Sequence, residues 1–257
     1  MNTTIKPLTK TSHQSSFYRP PPESITFSFP PPSSLDTTTI QPTIINFHIG
    51  SELSTQYHWH TTHTEYVRVT SGAALITVSG VSKIYTAKDG AARVPRYARH
   101  EWMRFDRPAQ LLGKGQRETQ EAYLREHGKE GIEKLRGEDL IAEEWTDPAD
   151  GQKEIFFRNL FSTALEPQYR SDMSWLGELW KTLQIMCVMW EMDNYLVLVD
   201  FGGYRGGWRE LVEAAFTYTV MGLLMTLGRI CGCKAVNQEY TPKHLIERWE
   251  SVPPKDG

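Results

Sequence analysis

The stretch "QYHWHTTHTEYVRVTSG", Gln56 to Gly72, holds three of the chain's eight histidines within six residues, with a glutamate close behind. In a strand, residues two apart point to the same face. His58 and His60 therefore project together, while Tyr57 and Trp59 face the other way. After a short turn Glu65 opens the next strand, where Val67 and Val69 share its phase, and Gln56 shares the phase of His58. Two imidazoles at one strand end and a carboxylate on its neighbour can converge within about 2.0–2.2 Å of a divalent ion. A solvated polar loop or a chance run of histidines would carry no such phase relation. His63 lies in the turn and reads as a surface residue or a support for the ligands rather than as a ligand itself. His48, His127 and His244 have no partner pattern.

The surroundings are strand after strand. From Thr43 to Phe105 short β-branched or aromatic runs alternate with Ser-Gly, Ser-Gly-Val and Lys-Asp-Gly turns. That rhythm predicts an all-β sandwich or barrel. Residues 1–23, Ser/Thr/Pro-rich and ending in "RPPPES", read as a flexible arm without its own core, and "SITFSF" reads as an edge strand. A densely charged stretch, residues 116–137, predicts a solvent-exposed helical insertion with little apolar face. "LIAEEW" returns as a strand, in which only one of Glu143 and Glu144 can face inward. Two long apolar helices then run from Trp175 to Met192 and from Trp208 to Cys231, joined through the paired glycines of "FGGYRGGW". The expected organisation is a β domain over residues 24–150 and a helical appendage over residues 151–257. The appendage would pack on the barrel or on a partner protomer.

Composition excludes several function classes. A net charge of −3 and a pI near 6.3, with basic residues scattered beside acids, give no electrostatic footprint for nucleic acid. Three cysteines, Cys187, Cys231 and Cys233, form no CxxC pair and read as reduced thiols. With no apolar signal core near the N-terminus, the expected compartment is the cytoplasm. "AAFTYTVMGLLMTLG", Ala214 to Gly228, carries no charge but is shorter than the roughly 18–20 apolar residues of a span. It reads as a helix buried against another apolar helix, which makes membrane contact the less favoured expectation.

A second short motif follows the first in the right order. "PRYARH" runs from Pro95 to His100. The pattern His-x-His-x4-Glu-x6-Gly, followed by Pro95 and His100, resembles the two signature motifs of the cupin superfamily. Tyr97 stands where the family has glycine, so the turn there is expected to be built differently. The resemblance covers about residues 43–150 and implies a mainly β, cupin-type barrel (a double-stranded β-helix or jelly roll). It implies one divalent ion, Fe, Mn, Zn or Ni, held by His58, His60, Glu65 and His100, because imidazole suits all of these metals. It does not account for the helices.

Strand phase extends the interior. With His100 inward, Trp102 and Arg104 follow. A guanidinium inside a barrel needs an anion. Arg104 is therefore either a catalytic residue that clamps a substrate carboxylate or one half of an internal ion pair with Glu143 or Glu144. Gln56, Val67, Val69, Trp102 and Arg104 would line the substrate pocket, and Glu65 is the second catalytic candidate. The function this implies is a metalloenzyme acting on a small organic molecule, by oxygenase-type or by isomerase, cyclase or lyase chemistry. The alternatives are a ligand-binding barrel without catalysis and a cavity cyclase with a structural metal. A homodimer is the expected assembly, since the Trp- and Met-rich helices read as core or dimer surface.

Overall fold

The computed structural model describes residues 8–31, 41–166, 175–201 and 207–251. It divides into two compact units, one of residues 15–149 with 200–211 and one of residues 1–14, 150–199 and 212–257.

The first unit is mainly β, with one long helix, a short 3-10 turn at Ala109–Leu111 and the first residues of a helix that continues into the second unit. Its strands are β1 (Ser16–Arg19), β2 (Ile25–Ser28), β3 (Thr43–Phe47), β4 (His58–Trp59), β5 (Thr64–Ser71), β6 (Ala73–Val78), β7 (Val81–Thr86), β8 (Ala91–Val94), β9 (His100–Arg104) and β10 (Leu140–Asp147). One antiparallel sheet orders β1, β2, β3, β10, β5 and β8; the other contains β4, β9, β6 and β7. The fold class is the expected one, mainly β in a jelly-roll arrangement with added helices. Among the described strands none belongs to both sheets, so the unit is an open pair of sheets rather than a closed barrel.

Period-two alternation decides what the sheets enclose. On β5, Glu65, Val67 and Val69 are buried and Arg68 and Thr70 are exposed. Opposite them on β10 lie Thr146, Glu144 and Ala142, all buried. The outward residues form their own layer, with Tyr66 stacked on Trp145 at 5.4 Å between ring centres and Arg68 bonded to Glu143. Glu144, not Glu143, therefore faces inward. Gly72 ends β5 with a left-handed φ of 73°, and a Cβ there would sit 2.7 Å from the carbonyl oxygen of Asp139. Both the conformation and the close approach demand glycine.

Three expectations about the borders are corrected. Residues 1–23 are not a free arm where they are described. Phe17 is buried, β1 pairs with β2 in register Phe17 to Phe27, and Thr9 donates to the Glu166 carboxylate at 2.9–3.0 Å. "SITFSF" accordingly lies inside its sheet, and β1 forms the edge. The charged insertion is a helix, α1 (Lys114–Arg136), broken at Gly128. It is not faceless: Tyr123, Leu124, Ile132 and Leu135 pack on a cluster of Ala73, Leu75, Ile84, Met103 and Phe105. Two buried glutamines anchor it, Gln116 to Glu101 Oε1 at 2.7 Å and Gln120 to the Phe105 carbonyl at 2.6 Å. Glutamine counts as polar in any periodicity, which is why the buried edge was hidden.

The second unit holds α2 (Gln152–Leu165), α3 (Trp175–Glu191), most of α4 (Trp208–Ile230) and α5 (Lys243–Ser251). Residues 167–174, the 202–206 part of the glycine-rich connection and the last six residues of the appendage lie outside the described residues. Asn159 on α2 is fully buried, donates to Thr241 Oγ1 and accepts from the Asn237 N–H, both at 2.8 Å. Helices α3 and α4 meet through small residues, Gly222 against Trp190 and Gly228 against Cys187.

Gly72→Ala is expected to destabilise the β unit by at least about 1–2 kcal/mol from the left-handed backbone alone. The urea midpoint of the purified variant checks it, and a midpoint equal to the parent's would contradict the close approach.

Candidate metal centre

Four side chains converge between the sheets. His58 is the cross-strand partner of His100 on β9, and their rings lie 4.1 Å apart. The ring of His60 lies 5.0 and 5.2 Å from those two. Glu65 projects from β5, with Oε2 3.1 Å from His60 Nε2 and Oε1 3.2 Å from His100 Nε2. One donor atom from each of the four lies within 4.8 Å of the others, and none of the residues is more than 5% exposed.

The backbone sets which nitrogen of two rings is available. His58 Nδ1 lies 2.7 Å from the Gln56 carbonyl and His100 Nδ1 lies 3.0 Å from the Ala98 carbonyl. A carbonyl oxygen can only accept, so Nδ1 carries the proton and Nε2 carries the lone pair of the neutral ring. The buried Nε2 of His100 makes no hydrogen bond among the described residues. This is the usual arrangement behind a metal-binding histidine, whose far nitrogen is fixed by a backbone acceptor. Donors at right angles around an ion at about 2.1–2.2 Å lie about 3 Å apart, and the two His–Glu spacings match that edge length. The group could hold a metal ion: three neutral imidazoles and one carboxylate are the donor set that such an ion takes, in a buried place where an unpaired carboxylate would be costly.

The turn of the second motif puts Tyr97 in a conformation that glycine adopts at least cost. Tyr97 occupies left-handed space with φ 65°, and its N–H donates to the His60 carbonyl at 2.6 Å. The turn is therefore latched directly onto a ligand strand, with a bulky residue where glycine costs least. Its side chain is 63% exposed, so little packing offsets the strain. Gln56, before His58, is left-handed as well, with φ 63°.

Other sequence-predicted residues separate. Val67, Val69 and Trp102 are buried on the inward phase, with Trp102 packed on Phe47 at 4.9 Å. Gln56 is exposed and serves the site through its carbonyl, not its side chain. β4 spans only His58–Trp59, so alternation does not reach back to Gln56. Arg104 is 2% exposed but is fully engaged within the protein. Its Nε and Nη2 donate to the two Asp106 carboxylate oxygens at 2.8 and 3.1 Å, and Nη1 donates to the carbonyls of Phe47 and Glu138. It is an internal ion pair, and its partner is neither Glu143 nor Glu144. Four residues of strand also place it about 13 Å from His100. His63 is buried rather than superficial and bonds the Thr62 hydroxyl at 2.7 Å. Glu144, from the sequence a candidate partner for Arg104, is instead a buried acid on the inward face of β10, diagonal to Glu65. Its phase relative to Trp145 could have marked it.

No sequence family and no curated protein matches the chain. Solved structures do match. A cupin-superfamily sugar phosphate isomerase from Silicibacter pomeroyi DSS-3 is 12% identical, with TM-score 0.28 over 47% of this chain and 57% of that one. KdgF from Halomonas sp. is 12% identical, with TM-score 0.26 over 47% and 74%. Oxalate decarboxylase from Lactobacillus farciminis is 17% identical, with TM-score 0.23 over 41% and 24%. The chain thus spans a little over half of that isomerase and about a quarter of the decarboxylase. The fold itself is read from the two sheets and the four converging side chains.

Tyr97→Gly is expected to raise stability by about 0.5–1 kcal/mol, because glycine relieves the left-handed strain at some entropic cost. A denaturation midpoint at or below the parent's would contradict it. Arg104→Leu is expected to lower stability by about 3–5 kcal/mol, as when one member of a buried pair is removed. Metal bound per folded molecule should stay unchanged, and a stable variant with altered metal content would reverse the assignment.

Proposed function

From the cupin fold of its β unit, we propose that this chain is a metalloenzyme acting on a small organic molecule, with one divalent ion held by His58, His60, Glu65 and His100. The observation that carries the reading is the convergence of these four buried donors, with the tautomers of His58 and His100 set by the Gln56 and Ala98 carbonyls. A divalent ion there would supply Lewis-acid polarisation of a substrate oxygen or, if it is iron, access to dioxygen chemistry.

The chain's own groups narrow the substrate. Arg104 is the one buried arginine or lysine of the β unit among the described residues, and Asp106 already neutralises it. The inward positions next to Glu65 and His100 on their strands are Val67 and Trp102, and the neighbouring strand adds the carboxyl of Glu144. Such walls offer a substrate apolar contact and no free protein cation, so a carboxylate or other anionic oxygen would have to be held at the ion itself. Glu65 would offset one of the two positive charges of a bound divalent ion, and Glu144 is the buried acid on the inward face that could hold or accept a proton.

Metal analysis of the untagged protein beside the His58→Ala/His60→Ala variant tests the assignment. About one equivalent in the parent, lost in a variant with unchanged circular dichroism, is the expected result. A full equivalent retained by the variant would overturn it. Iron would direct the search to oxygen-uptake assays, and zinc, manganese or nickel to isomerase, cyclase or lyase assays. Catalysis that survives loss of the metal would favour the cavity-cyclase alternative.

A further inference from the structure

The sequence reads α4 as a helix buried against another apolar helix; it packs on α3 along one stripe and leaves its opposite face open. Its buried residues form one narrow stripe, Glu213, Thr217, Met221, Met225 and Gly228, at steps of four, four, four and three. That stripe is tightly seated, since a Cβ on Gly228 would lie 2.7 Å from Cys187 Sγ. Trp208, Leu211, Val212, Phe216, Leu223, Leu227 and Ile230 are exposed, Leu223 by 67% and Ile230 by 78%. At 100° per residue these positions cover an arc of about 160° of the helix circumference. Among the described residues this is the one helix long and apolar enough to cross a membrane, with 28% of its most apolar window buried.

Two further features bear on what covers this face. No charged residue occurs from Ala214 to Gly228, on any side of the helix. The exposed hydroxyls of Thr219 and Thr226 donate to the carbonyls four residues back, Ala215 at 2.7 Å and Gly222 at 2.8 Å. Threonines bonded in this way, as Thr119 is on the water-facing α1, leave no hydroxyl hydrogen that needs water, so they are compatible with an apolar medium without requiring one.

We propose that the outer face of α4 seats the protein on a lipid bilayer, with the helix lying in the membrane interface. A protein partner is the poorer fit. Interfaces between proteins surround an apolar centre with a polar rim, and paired helices flank their seam with charges. Along α4 the exposed charges Arg209, Glu210 and Arg229 stand only at the two ends, and the residues from Ala214 to Gly228 carry none at the sides of the face. The helix lies in the interface rather than spanning it because its buried stripe remains packed on α3, which carries Glu178 and Lys181. The exposed Trp208, at the N-terminal end of α4, and Trp175 and Trp180 on α3 are the amphipathic rings favoured at headgroup level.

Flotation of the full chain with phosphatidylcholine vesicles, with and without phosphatidylserine, tests this independently of the metal and of any activity. The parent should float with both kinds of vesicle, and should still do so in about 0.5 M salt, where surface charge is screened. Leu223→Asp/Ile230→Asp, at two exposed positions, should keep the parent's melting temperature and lose at least about tenfold in bound fraction, since a buried carboxylate is expensive in lipid. Leu223→Ser/Ile230→Ser, with a milder polar change, should fall between the two. A parent that stays in the soluble fraction, or floats only with phosphatidylserine at low salt, overturns the proposal. Light scattering without lipid completes the test: a dimer that ignores vesicles and dissociates in the Asp variant would assign the face to a second copy instead.

Discussion

Two backbone carbonyls, those of Gln56 and Ala98, are the constraint on which the candidate centre depends. Each lies two residues before the histidine it holds, and each takes the Nδ1 proton of that ring. The imidazoles are thereby oriented and their tautomers chosen before any ligand arrives, at no cost in side-chain partners. The two turns share a device: a non-glycine residue in left-handed space, Gln56 before one ligand strand and Tyr97 before the other. The local backbone is strained so that two rings need not search for their geometry.

Everything else around the centre is arranged by strand phase. β5 carries Glu65, and its two neighbours in the sheet, β10 and β8, fix its register through Thr146 and Val94. A slip of one residue would turn Glu65 outward and Tyr66 inward. Gly72 and the close approach of Asp139 hold the far end of the strand against such a slip. The outward pairs, Tyr66 with Trp145 and Arg68 with Glu143, oppose it as well, since each would have to enter the core.

Much of this was legible in the sequence, and the residues that were not share a reason. Alternation is a statement about faces, so it correctly turned Glu65, Val67, Val69, His100 and Trp102 inward. It says nothing about position along a strand, and so it grouped Arg104 with a site four residues away. It also cannot see a partner two residues further on in a turn, where Asp106 lies. At Gln56 the alternation was carried past the end of a two-residue strand. Composition misled in both directions over the helices. The charged α1 hid a packed edge behind two glutamines, while α4, uncharged only from Ala214 to Gly228, read as buried and is open along one face. Hydropathy ranks what a side chain would prefer, and only the packing decides whether the chain supplies it.

The break in α1 has a consequence for how the β unit breathes. Gly128, at φ 65° and ψ 175°, interrupts the backbone ladder and divides 23 residues into two segments. Neither is long enough to persist as an isolated helix in water, where about 12–15 residues are marginal. The segment after the break carries Ile132 and Leu135 and survives by resting on β6, β7 and β9. The segment before it has its own anchors in Gln116 and Gln120. Fraying of one half is therefore not passed to the other through the helical ladder, and the shared cluster under Tyr123, Leu124, Ile132 and Leu135 is what couples them.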